Sequence, residues 1–189
     1  MPVDSRMEQF VTIIESDLWL MDLLRLVGDI EPQGCYIGAG AVRDVVWDRM
    51  SDTEVHDGIK DIDVVYFDAR STGGDLDAEL EQGLAQQRAD VQWDVKNQAG
   101  VHLWFKDVFG YDVAPFASLG EAVASWPEYA SAVSVRLEDK KLDVIAPYGL
   151  EDLLEMRVRR NPVRVTEDEY RRRTNRKKYT ERWPEVTIQ

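Results

Sequence analysis

Between residues 7 and 27 the apolar positions Phe10, Ile13, Ile14, Leu18, Met21 and Leu24 fall on one face of a 3.6-residue repeat. That spacing predicts one long amphipathic helix. Gly28 and the Asp29–Gly34 stretch, with Pro32 inside it, end the helix. Cys35-Tyr36-Ile37 reads as a short buried strand. Gly38-Ala39-Gly40 follows it, then a helix over Ala41–Met50 and a polar loop over 51–60. Ile62–Phe67 is the strongest strand signal, bounded by aspartates. Ser71–Gly74 reads as a turn, Asp77–Gln87 as a helix and Val91–Val95 as a half-buried strand. Asn97–Val108 has a helical pattern with Gly100 as a weak point. Ser118–Trp126 reads as a helix stopped by Pro127. Ala132–Leu137 and Leu142–Ile145 read as a hairpin around Glu138–Lys141. A short helix over Gly149–Met156 and a basic helix over Glu167–Tyr179, after Asn161-Pro162, complete the chain. The order α-β-α-β-α-β, then mixed elements, predicts an α+β (α/β-like) domain with a small mixed central sheet flanked by helices.

Composition bounds the function. A chain of 189 residues with 44% hydrophobic and 31% charged side chains is long enough for one globular core. One cysteine, Cys35, rules out an internal disulfide, and two histidines, His56 and His102, leave little for a zinc site. There is no signal-peptide pattern and no uncharged window of 18 residues, so the expectation is a cytoplasmic protein with no membrane partner. The net charge of -13 argues against a long nucleic-acid duplex. That charge is unevenly distributed. Residues 1–156 carry 12 basic and 31 acidic side chains, whereas residues 157–189 carry 11 and 5. The boundary divides a domain (1–156) from a basic C-terminal segment (157–189). The segment either docks on the acidic body or binds an outside anion.

Chemistry concentrates around Asp61-Ile62-Asp63. Residues at i and i+2 on a strand share a face, so the two carboxylates stand side by side and need neutralising. Mg²⁺ (or Mn²⁺) does this, bridging carboxylates to substrate phosphates. About 20 residues upstream, Gly38-Ala39-Gly40 opens a helix whose N-terminal amides suit a phosphate. The turn is neither the dinucleotide fingerprint nor a Walker loop. A third carboxylate on a neighbouring strand is sought in Asp94 or Asp143. Asp94 is preferred, because one helix crossover returns the chain beside the Asp61–Asp63 strand. Arg43 either grips a triphosphate or pairs with Asp44. Asn97 and Gln98 offer amides to a base or ribose, and His102 reads as ligand-facing or as a core histidine. The tryptophans read as core or rim. The clusters Arg171–Arg173 and Arg176–Lys178 read as a solvated face or as contacts to RNA or phosphate.

A glycine turn opening a helix, followed by a D-x-D strand, resembles the DNA polymerase β-type nucleotidyltransferase superfamily. Gly40-Ala41-Val42-Arg43-Asp44 with Asp61-Ile62-Asp63 is similar to the head of tRNA CCA-adding enzymes and poly(A) polymerases. Four ordered segments extend the likeness over nearly the whole chain: 60–68, 95–104, 146–153 and 160–162. They resemble a bacterial family of small nucleotidyltransferase-like proteins, first named as a domain of unknown function. Two departures stand out: Ala39 replaces the first of the paired glycines, and Gly100 stands where an arginine is expected. The resemblance implies a metal-dependent enzyme that takes an NTP as substrate and transfers its NMP. Asp61, Asp63 and Asp94 would hold metal. Gly38, Gly40, Arg43, Asn97 and Gln98 would contact nucleotide. The acceptor would be a small molecule, a protein side chain or an RNA end. A non-catalytic nucleotide-binding module is the alternative.

Overall fold

A computed structural model describes residues 3–30, 34–51, 53, 59 and 61–189. Pro32, His56, Lys60 and most of the polar 51–60 loop lie outside the described residues. Two helices, α1 (Val3–Ser16) and α2 (Leu18–Gly28), stand where one was expected. Asp17 separates them. Its carboxylate accepts a hydrogen bond from the Leu20 amide at 2.9 Å, capping α2, and it is fully buried. The periodicity runs through the break because Phe10, Ile14, Leu20 and Leu24 all reach the same core.

The chain continues through β1 (Tyr36–Gly38), α3 (Ala39–Met50), β2 (Ile62–Tyr66), α4 (Asp75–Gln87) and β3 (Trp93–Asn97). A single turn over Gln98–Gly100 leads into α5 (Val101–Phe109), so the predicted 97–108 helix begins late. Asn97 causes the delay: its side chain accepts from the Ala99 amide at 3.1 Å and closes the turn. Next come α6 (Leu119–Val123), capped by Ser118, and the hairpin β4 (Ser134–Glu138) and β5 (Lys141–Ile145). Asp139 and Lys140 both have positive φ, as a two-residue hairpin turn demands.

The five strands form one mixed sheet in the order β3-β2-β1-β4-β5. Only β2 and β3 are parallel, joined by the α4 crossover. Alternation sorts the two faces. Ile37, Ile62, Val64, Tyr66, Trp93, Val95 and Val135 face the main core with α1, α2 and α3. Tyr36 and Val65 face the other way, onto Leu119, Val123 and Ala132.

The basic segment packs on this body. After α7 (Glu151–Leu154), β6 (Arg157–Val158) pairs in parallel with β7 (Thr187–Ile188) at the end of the described chain. These two short strands have no counterpart in the sequence reading. Between them, the predicted 167–179 helix is split into α8 (Glu167–Lys177) and α9 (Tyr179–Arg182) by Lys178, which takes a left-handed conformation. Tyr170, Tyr179, Trp183 and Val186 enter the main core, and the indole of Trp47 meets both Tyr179 and Trp183 edge-on. No helix among the described residues is long and apolar enough to cross a membrane.

Candidate active site

The register of the sheet assembles the acidic group. Asp63 lies directly across from Asp94 on the parallel neighbour and from Gly38 on the antiparallel one, and Gly38 lies across from Ser134. Neighbouring side chains in register point to one face. Asp61, just before β2, has the same parity as Asp63. Asp61, Asp63 and Asp94 each offer a carboxylate oxygen, and these oxygens lie within 4.8 Å of one another. Burial together with the charges of Asp61 and Asp94 lifts the Asp63 carboxyl to about 6, although Lys177 and Arg173 pull it down. Three hard oxygen ligands, one of them carrying an unfavourable charge, fit a divalent cation.

Asp143 is elsewhere. It lies on β5, three strands from β2, accepts hydrogen bonds from the Tyr36 hydroxyl at 2.5 Å and Arg136 Nε at 3.0 Å, and is held below its ordinary value by them. Its distance across the sheet separates it from the Asp94 position, which joins Asp61 and Asp63.

At the Gly38 end of the row, a Cβ would come within 2.6 Å of the Trp126 ring and 2.9 Å of the Ser134 side chain. The missing side chain is therefore filled by an indole, and Trp126 stands on the triad's face of the sheet. Ala39 next to it has a φ of 53°, the left-handed conformation that favours glycine. The paired-glycine geometry is thus retained by an alanine under strain. Gly40 adjoins the Arg43 guanidinium, 3.7 Å from where a Cβ would sit, and α3 starts without a side-chain cap. Its first amides carry the partial positive charge of a helix N-terminus.

Arg43 is not free to reach a ligand. It is 2% exposed, with Nε on Asp44 at 2.9 Å and Nη1 on Ser131 Oγ at 2.7 Å, over the rings of Trp47 and Tyr179. Of its two expected partners, the structure selects Asp44. Asn97 also departs from the sequence reading. Its amide donates to the carbonyls of Asp68 (2.7 Å) and Ser71 (2.6 Å) and accepts from Asp68 and Ala99, so it is occupied in closing the 68–71 loop onto β3. Gln98 does line the open cleft beside the triad. At Gly100 a Cβ would stand 3.0 Å from the Thr72 carbonyl oxygen, so an arginine there would have to move the loop's backbone. His102 Nδ1 is buried with no hydrogen-bond partner among the described residues.

The cleft measures about 770 Å³, within the range of small-molecule sites. Asp63, Asp94 and Lys96 edge it. One wall is aromatic and apolar, from α5 and Phe116; the other is cationic, from Arg172, Arg173 and Arg176 of α8. Arg164 stacks over the Phe116 ring at 3.7 Å. Arg173 is fixed by an ion pair with Glu128, which is 1% exposed and also accepts from the Tyr179 hydroxyl at 3.2 Å. Arg172, Arg176 and Lys177 have no ion-pair partner among the described residues. Burial and the neighbouring Arg43 and Arg173 hold the Lys177 ammonium below its ordinary value. Sequence reasoning left the basic helix undecided between solvent and phosphate, and gave Lys96 no task. The signal for Lys96 was present, because it stands two residues after Asp94 on the same strand face.

Comparison with known proteins bears on the fold and the family. An NMR structure described as revealing a CCA-adding enzyme head domain superposes with a TM-score of 0.80 at 28% identity, covering 95% of this chain and 94% of that one. The Thermotoga maritima CCA-adding enzyme complexed with tRNA gives 0.59 at 15% identity, and an apo CCA-adding enzyme gives 0.58 at 16%. Both of these share the fold over 94% of this chain, which spans only 42% of their own length. None of the curated proteins matches the chain in sequence. The family model described as Nucleotidyltransferase matches residues 27–188, from the end of α2 through the triad and the basic segment, and the chain belongs to that nucleotidyltransferase family.

Proposed function

We propose that the chain moves an NMP from an NTP to an acceptor hydroxyl in a reaction dependent on Mg²⁺ or Mn²⁺. The observation that carries this reading is the in-register row Gly38–Asp63–Asp94, completed by Asp61, at the edge of a cleft with a cationic wall. A bound divalent ion supplies positive charge to the attacking and leaving oxygens of an in-line displacement. Asp61 and Asp63 would hold it, and Asp94 would complete a second position. The N-terminal amides of α3, at Gly38–Gly40, seat the β- and γ-phosphates. Arg172 and Arg176, without an ion-pair partner among the described residues, face the same phosphates. Gln98 is the amide left to meet base or ribose. Arg43 and Asn97 act one step back, holding α3 and the 68–71 loop.

Among acceptors, an RNA end is favoured over a small molecule or a protein by one observation. The cleft sets exposed aromatic side chains, Trp104 and Phe109, opposite Arg172 and Arg176, the pairing of surfaces that single-stranded nucleic acid uses. A non-catalytic binding module is disfavoured, because three carboxylates packed together, with Asp63 raised by its neighbours, cost the metal-free fold stability for no return.

The test is pyrophosphate release. Wild-type protein with Mg²⁺ and each of the four radiolabelled NTPs, supplied with cell extract or total RNA as acceptor, is expected to release it. The Asp61→Asn/Asp63→Asn variant should lose more than about a hundredfold, since even partners of metal ligands cost about 10–100-fold. Equal release from both proteins, or none from wild type, sinks the enzyme reading.

A further inference from the structure

Lys96 has no part in the fold's core and no role assigned above. It stands on β3 two residues after Asp94, so both side chains leave the same face of the sheet. Its Nζ lies 2.7 Å from Asp94 Oδ1 and 3.0 Å from the Val95 carbonyl oxygen, and the side chain lines the cleft, 44% exposed. The ammonium thus sets a positive charge directly against one carboxylate of the triad. It does so from the cleft side, where phosphates would enter.

We infer that Lys96 is an exchangeable counter-cation: it pairs with Asp94 while the site is empty of metal, and turns to the substrate's phosphates when a divalent ion takes its place. This rests on the metal reading above and extends it to a residue that reading leaves idle. The contact at Asp94 Oδ1 favours the exchange. One carboxylate oxygen cannot hold an ammonium at 2.7 Å and a small divalent ion together without the two cations repelling strongly. A lysine suits the move better than an arginine, being a compact charge on a flexible stem.

The prediction has opposite signs in two binding measurements, neither of which needs catalysis. Mn²⁺ binding to the nucleotide-free protein, followed by electron paramagnetic resonance, should become about two- to fivefold tighter in Lys96→Gln, because the competitor for Asp94 is gone. Binding of magnesium tripolyphosphate, followed by calorimetry, should weaken by about tenfold or more in the same variant. Lys96→Arg keeps the charge and should stay near wild type for Mn²⁺. A lesion that merely loosened the site would weaken both ligands together, and that result overturns the proposal. So does unchanged Mn²⁺ affinity in Lys96→Gln while Asp63→Asn abolishes binding, an outcome that leaves the metal reading intact. Wild type that binds no Mn²⁺ overturns the metal reading itself, and the exchange with it.

Discussion

Two groups of carboxylates lie within this small domain and meet opposite fates. Beneath α3 and α8, Asp44, Asp48 and Glu128 are buried against Arg43, Arg173, Arg182, the Tyr179 hydroxyl and the Trp183 indole. Each negative charge there has a cation or donor in direct contact. The nearby positive charges hold Glu128 below its ordinary value against the pull of burial. At the edge of β2 and β3, Asp61, Asp63 and Asp94 face one another instead, and Asp63 is raised. The first group closes on itself and ties the basic segment to the body. The second has, among the described residues, one direct ion pair, Lys96 on Asp94, for three carboxylates, and that deficit is what a divalent ion can relieve. The same residue type makes structure in one place and a site in the other, and the difference is the supply of cations on adjoining elements.

Removing an acid from the closed group should do the most damage. Glu128→Ala removes the buried ion-pair partner of Arg173, beside the buried Arg43–Asp44 pair, and loss of about 3 kcal/mol is expected, read as a lower urea midpoint at unchanged slope. A loss below about 1 kcal/mol would mean that the α8 attachment does not depend on this pair.

Removing an acid from the open group should do the reverse. The folded Asp63 carboxyl sits at about 6, above its ordinary 3.8, so the native state holds that proton more tightly than the unfolded chain does. Its favourable contribution is present below about pH 4 and is lost as pH rises through 6. Asp63→Asn should therefore be more stable than wild type at pH 8 by about 1–3 kcal/mol, after allowance for water in the cleft. The two should converge near pH 4. Saturating Mg²⁺ should erase the advantage, because only wild type retains the full ligand set. Parallel stability curves from pH 4 to 8 would contradict the contrast between the two groups.

The smallest effect belongs to the cations that neither group consumes. Arg172→Gln and Arg176→Gln should change stability by no more than about 0.5 kcal/mol. Each should raise the KM for NTP about two- to fivefold, and the penalty should shrink at high salt. A stability loss as large as that of Glu128→Ala would place these side chains in the structural network instead.

Much of this was legible along the chain. The D-x-D strand, the glycine turn and the Asp94 strand each carry a local signature, because a period of two and a helix-opening turn are written in nearest neighbours. The break at Asp17 was hidden because capping leaves the 3.6 repeat intact on both sides. The task of Asn97 was hidden because an amide that closes a loop and one that reads a base are the same residue type. Gly38 looked like a phosphate-binding glycine, and part of its reason is an indole 88 residues later that fills its vacant side-chain space.

The sequence by itself determined the fold class, the pair Asp61 and Asp63, and the existence of a basic segment after an acidic body, since pattern and charge count are local or additive properties. Tertiary structure brought Asp94, and not Asp143, beside Asp61 and Asp63, turned Arg43 inward to Asp44, and set α8 across the cleft from the aromatic wall. Each of those choices depends on which strands and helices become neighbours. In-register pairing of β2 with β3, and the burial of Tyr170, Tyr179 and Trp183 behind α8, bring together charges that are 30 to more than 100 residues apart in the chain.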